Sequence, residues 1–168
     1  MLLNIIGCVF LGLCIIAAMI DVNRLKIPNW LNILLAALFV PAAFLSGLPL
    51  EMIGGHIMVG ALAFLAAFGL FAFNIFGGGD AKMIPAVALW MGPPAAVLFI
   101  VYMALIGGAC ALLILAVRNA VPAALVPGAI RAPFEEGAGV PYGVAIAGGA
   151  FLAAHATPLL SNLLMQFT

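Results

Sequence analysis

Charge is what this sequence has least of. Its 168 residues include five acidic and five basic side chains, 6% in all, and the formal net charge is zero. A soluble domain carries about 25% charged residues, so a soluble globule is excluded. Five scattered lysines and arginines leave no basic stripe, which excludes a nucleic-acid partner. Cysteine is equally sparse. Cys8, Cys14 and Cys110 each lie in an apolar run, and no Cys-x-x-Cys pair exists. A zinc or dithiol redox centre is therefore not expected, and the three thiols read as small packing groups. No Gly-Lys-Ser/Thr follows any glycine run, so there is no phosphate loop. No cofactor is implied. The first apolar run, Leu2–Ile20, has no basic segment before it and is longer than a secretory h-region, so it reads as a retained helix.

What the chain does have is hydrocarbon, with 68% of residues hydrophobic. That composition predicts an all-α integral membrane protein in a single domain, 1–168, with room for about six or seven spans. Six helices are expected: Leu2–Ile20, Trp30–Phe44, Ile53–Ile75, Asp80–Met91, Ala95–Val117 and Gly143–Leu164. The residue before Pro28 is discouraged from helix, which breaks the chain between the first two. The fourth helix is short, since twelve residues give about 18 Å against a hydrocarbon core of about 30 Å. Gly92-Pro93-Pro94 ends it. Glycine pairs at 54–55, 107–108 and 148–149 read as close helix contacts.

The basic residues orient this layout. With six crossings, the loops after helices 1, 3 and 5 share a side and hold Arg24, Lys26, Lys82, Arg118 and Arg131, which are all the basic residues of the chain. By the positive-inside rule that side is cytoplasmic, and both termini face outward. Asp21, at the end of helix 1, and Asp80, at the start of helix 4, then lie at one depth on one side.

Two short polar stretches interrupt the apolar sequence, 21–29 and 76–83, ahead of a longer polar segment, 118–142. An aspartate within a membrane segment is costly and calls for a reason. Asp21 reads either as an exposed interfacial acid beside Arg24 or as half of a pair with Asp80. Asp80 reads either as a helix cap or as the other half. Two adjacent carboxylates share a proton, so one can take a proton from water while the other donates to a carbonyl oxygen. Gly77, Gly78 and Gly79 would let an extended substrate strand approach the backbone, or form a plain turn. Lys82 reads as snorkelling to the interface or contacting lipid phosphate. His155, in the middle of helix 6, reads as an inter-helix hydrogen-bonding group, and His56 as a structural residue near the outer interface.

These residues also resemble a known family. Gly77-Gly78-Gly79-Asp80-Ala81-Lys82 resembles the Gly-x-Gly-Asp motif of membrane aspartic peptidases, in the form typical of type IV prepilin peptidases. Asp21 followed by Ile27-Pro28-Asn29-Trp30 resembles the segment with that family's other catalytic aspartate. Val140-Pro141-Tyr142-Gly143-Val144-Ala145-Ile146-Ala147 resembles its segment entering the last helix. The resemblance implies a multi-pass enzyme of the inner (cytoplasmic) membrane. Such an enzyme removes the basic leader from a prepilin or pseudopilin partner, with Asp21 and Asp80 as catalytic pair. Gly77, Gly78, Gly79, Lys82, Pro28, Asn29, Pro141 and Tyr142 would bind substrate or support the site. Helix 1 starts at once and the Cys-x-x-Cys pairs of larger members are missing, so N-methyltransferase activity is not expected. The compact form is similar to the peptidases of Flp/Tad pilus systems and to archaeal preflagellin peptidases. The residues themselves leave two rivals, a small proton-coupled transporter and a non-catalytic assembly subunit of a secretion system.

Overall fold

The computed structural model describes residues 1–161, and among these every regular element is helical. The α-helices are α1 (Leu2–Arg24), α2 (Asn29–Leu45), α3 (Leu50–Ala72), α4 (Asp80–Ala120) and α5 (Tyr142–Ala153), with short 3-10 turns at Ala123–Leu125, Gly128–Ile130, Ala132–Phe134 and Ala154–Ala156. Three of them, α1, α3 and α4, are long and apolar enough to cross a membrane, and α2 and α5 are shorter apolar helices. Their outward faces carry large apolar side chains, such as Ile33, Leu62, Leu105 and Leu112. Outward-facing hydrocarbon of this kind fits a lipid surround rather than water.

Helix α4 is two arms, residues 80–91 and 93–120, joined at Gly92, where φ is +60° and the backbone is not helical. Ile84 and Met103 line one pocket together with Ala88 and Phe99. A straight helix would place residues 84 and 103 about 28 Å apart, so the chain doubles back at Gly92. The expected break at Gly92-Pro93-Pro94 is therefore present, and it is a reversal.

The reversal leaves two carbonyls without their helical donors. In a continuous helix Leu89 O and Trp90 O would accept from residues 93 and 94, but both are proline and have no N–H. Side chains from elsewhere take their place. His56 Nδ1 donates to Leu89 O at 2.9 Å, and Thr157 Oγ1 donates to Trp90 O at 2.8 Å. Trp90 lies at the centre of the core. It stacks on Phe10 with ring centroids 4.2 Å apart, meets Phe39 edge-on, and donates Nε1–H to Leu35 O at 2.8 Å. One cluster thus ties α1, α2, α3, α4 and the segment after α5.

His56, expected to be structural, is fully buried in α3 against the reversal. Other expectations are corrected here. The last helix does not run unbroken from Gly143: α5 ends at Ala153, a 3-10 turn follows, and Thr157 is extended before Pro158. Residues 162–164, the predicted end of that helix, lie outside the described residues. His155 consequently sits in the turn, exposed, with Nδ1 donating to Leu152 O in its own segment rather than to another helix. Helix 1 is longer than predicted and carries Asp21 within its last turns.

One glycine of each of the first two pairs, and both of the third, behave as packing contacts. A Cβ on Gly55 would meet Pro93 at 2.9 Å, one on Gly107 would meet Tyr142 at 3.1 Å, and one on Gly149 would meet Met103 N at 3.0 Å. Gly54 and Gly108 have nothing within 4 Å, whereas Gly148 would meet Ile106 at 2.7 Å. These contacts seat α5 alongside the second arm of α4 and bring Tyr142 level with Gly107.

Candidate active site

Helix α1 ends on Leu25, which adopts the left-handed conformation (φ +50°) and donates its N–H to Asp21 O at 2.7 Å. This is the αL type of helix stop, made here by a leucine rather than glycine. It turns the chain sharply one turn beyond Asp21 and leaves that side chain inside the bundle, 4% exposed. Asp21 Oδ2 accepts a hydrogen bond from the main-chain N–H of Gly143 at 2.7 Å. The exposed interfacial alternative for Asp21 is thereby excluded.

Helix α3 stops in a comparable way. Asn74 has φ +57°, and the N–H groups of Ile75 and Phe76 both turn back to Leu70 O. The glycines follow, and α4 starts at Asp80 with Gly79 in the capping position and no side-chain cap. The capping alternative for Asp80 therefore does not hold. Its Oδ2 faces Gly77, where a Cβ would lie 3.0 Å away, and its Oδ1 is buried with no hydrogen-bond partner among the described residues.

Asp21 and Asp80 line one cavity of about 320 Å³, walled by Leu25, Ile75, Phe76, Gly77, Gly139, Val140 and Tyr142. Phe76 and Tyr142 meet at the wall with ring centroids 5.1 Å apart. Three chain segments build the site: the end of α1, the α3–α4 turn, and the entry to α5.

The residues expected to support the pair divide by place. Gly77 and Tyr142 line the cavity. Gly79 is a packing contact, since a Cβ there would lie 3.0 Å from Ile27 N. Gly78 lies against the ring of Phe71. Pro28 and Pro141 occupy the capping positions of α2 and α5. Lys82 is on the far side of α4, about 200° round the helix from Asp80, and its Nζ donates to Asn29 Oδ1 at 2.9 Å. The Lys82–Asn29 bond and the Gly79–Ile27 contact fasten the α1–α2 loop to the α3–α4 turn, so the two polar stretches do meet.

Sequence reasoning did not single out Leu25, Ile75 or Gly139 for the site, and named Val140 and Gly143 only as part of the segment entering the last helix. Leu25, Ile75 and Gly139 enter it through turns and through the path of a loop. Gly143 contributes only its backbone N–H, which every residue but proline has, and its missing side chain is the signal: a Cβ would stand 2.9 Å from both Cβ and Oδ2 of Asp21.

Neither a curated protein nor a solved structure matches the chain. A sequence profile does, over residues 8–112, and it is that of the type IV leader peptidase family. The matched stretch contains both aspartates and the turns that present them, whereas Tyr142 and Gly143 lie beyond it and reach the site through the fold. With well over half of its length matched, the chain belongs to the type IV leader peptidase family.

Proposed function

We propose that this chain is a membrane aspartic endopeptidase that removes the basic leader from prepilins or pseudopilins, with Asp21 and Asp80 as its catalytic pair. The observation that carries the reading is that these two aspartates, 59 positions apart in a chain of this family, share one cavity. Peptide hydrolysis by such a pair needs no cofactor. The ionised aspartate takes a proton from water as the hydroxide adds to the scissile carbonyl carbon, and the protonated one donates to the carbonyl oxygen. As the tetrahedral adduct collapses and its C–N bond breaks, one of its hydroxyls gives a proton to the ionised aspartate while the protonated one donates to the leaving nitrogen, so the pair again holds one proton. The hydrogen bond from Gly143 holds Asp21 in place through the cycle.

The remaining parts of the reading follow from charge and length. The chain acts as a single membrane-embedded domain with six crossings, counting the two arms of α4 separately. The aspartates lie at the cytoplasmic face of the inner membrane, beside the five basic residues, and both termini face outward. The substrate presents an extended strand to Gly77 and Tyr142, while its apolar segment stays in the lipid. Gly78, Gly79, Pro28, Asn29, Lys82 and Pro141 hold the turns rather than touch substrate.

Coexpression with a candidate prepilin tests this. Asp21→Asn and Asp80→Asn are each expected to abolish leader removal while still accumulating in the membrane. Normal processing by either variant rules out the pair as catalyst.

A further inference from the structure

One cation is built into the path that leads to the cavity wall. Arg118 lies in the last turn of the second arm of α4. Its Nε and Nη2 both donate to Pro133 O, and Nη2 also donates to Ala138 O at 2.7 Å. Both acceptors are main-chain carbonyls of the loop, 15 and 20 positions further along the chain. The next residue after Ala138 is Gly139, and Gly139, Val140 and Tyr142 are cavity wall.

The wall is therefore held at two ends by different helices. Arg118 holds it upstream from α4, and Asp21 holds it downstream from α1 through Gly143 N–H. Between Pro133 and Gly139 the chain's own order is one turn, closed by the Ala138 N–H to Glu135 O bond at 3.1 Å. Glu135 and Glu136 are exposed, Gly137 takes a positive φ of 75°, and neither Gly137 nor Gly139 has any group within 4 Å of where a Cβ would stand. Glycines in such a stretch leave many backbone conformations open. A planar guanidinium that spans two carbonyls removes that freedom, and a lysine ammonium, a single point donor, does so less well. Arg131, which lies in the loop itself, bonds among the described residues only to Ala124 O and Val126 O, five to seven positions away. It folds the loop locally and does not link it to a helix.

We propose that Arg118 is a positioning residue for the peptidase, setting the 139–142 wall against which the substrate strand lies. This rests on the reading of the cavity as a peptidase site. Because the wall faces substrate and Arg118 does not touch the carboxylates, its loss acts on substrate binding before chemistry.

The test uses the full chain in lipid nanodiscs and a synthetic precursor of basic leader, glycine and apolar segment. Arg118→Gln is expected to raise KM about tenfold with kcat changed less than about threefold. Arg118→Lys falls between it and the wild type, and Arg131→Gln leaves KM within about twofold. Amide exchange in Arg118→Gln speeds up at 134–140 and is unchanged in α1 and in the first arm of α4. Should Arg118→Gln fail to accumulate, Arg118→Lys carries the same two measurements. An unchanged KM and unchanged exchange in the Arg118 variants overturn the inference, as does an equal KM rise in Arg131→Gln. Failure of the wild type to cleave the precursor instead overturns the peptidase reading, and the exchange measurement still decides whether Arg118 orders the wall.

Discussion

The carboxylate of Asp21 and the backbone N–H of Gly143 meet at 2.7 Å across 122 positions of chain, and this bond closes the fold around the cavity. It leaves no space for a side chain. Gly143→Ala is expected to push α5 away from α1 and to lower the rate of leader cleavage about tenfold or more. Steady-state cleavage, read beside the amount of protein in the membrane, checks this. An alanine variant as active as wild type would mean that Asp21 needs no such support.

The shared cavity carries a pH prediction. Below the range in which the pair holds one proton, both aspartates are neutral and no base remains to activate water. Above it both are ionised and no acid remains to protonate the carbonyl oxygen. The rate of kcat/KM against pH should therefore be bell-shaped, with two apparent constants that belong to the pair and not to either residue. A profile with a single limb would remove one of the two roles.

Thr157 and His56 supply the donors that Pro93 and Pro94 lack. Thr157→Val keeps the shape but leaves Trp90 O buried and unpaired, a loss of about 1–3 kcal/mol. Thermal unfolding in detergent should show it as a lowered midpoint. His56→Leu should act in the same direction through Leu89 O.

Gly92 is the tightest point of the reversal. An added Cβ would collide with the His56 ring, and the positive φ itself costs a side-chain residue about 1–3 kcal/mol. Gly92→Ala is expected to destabilise more than Thr157→Val does. In the His56→Ala background part of that excess should return, because the collision is gone and the backbone strain remains.

Lys82 makes a test of the opposite kind. Its bond to Asn29 is exposed, so Lys82→Ala should change stability by no more than about 0.5 kcal/mol. Its effect on cleavage should be far smaller than that of Asp80→Asn, measured in the same assay.

Much of this architecture was legible because polarity is so rare in the chain. Asp21 and Asp80 stand out against hydrocarbon, and Gly92-Pro93-Pro94 cannot continue a helix. What stayed hidden depends on backbone groups and on depth. A main-chain donor such as Gly143 N–H carries no side-chain identity, and the carbonyl acceptors of Arg118 carry none either. His56 was legible as structural but its partner was not, since Leu89 O is a main-chain group 33 positions away. The break after Ala153 had a local sign in Pro158, which disfavours helix at Thr157, but an otherwise apolar run outweighed it. Leu25 could not be foreseen in a left-handed turn, since leucine has no preference for one.

The cluster beneath the carboxylates has a consequence for a cell that lives on its ion gradients. A hydrolase in a membrane must admit water to its acids without opening a wire for protons across the lipid. Phe10, Trp90, His56 and Thr157 are each fully shielded and interlocked where the first arm of α4 ends. They close the bundle about ten residues along that arm from Asp80. The proline-made reversal that shortens the helix is thus also the plug of the bundle behind the aspartates.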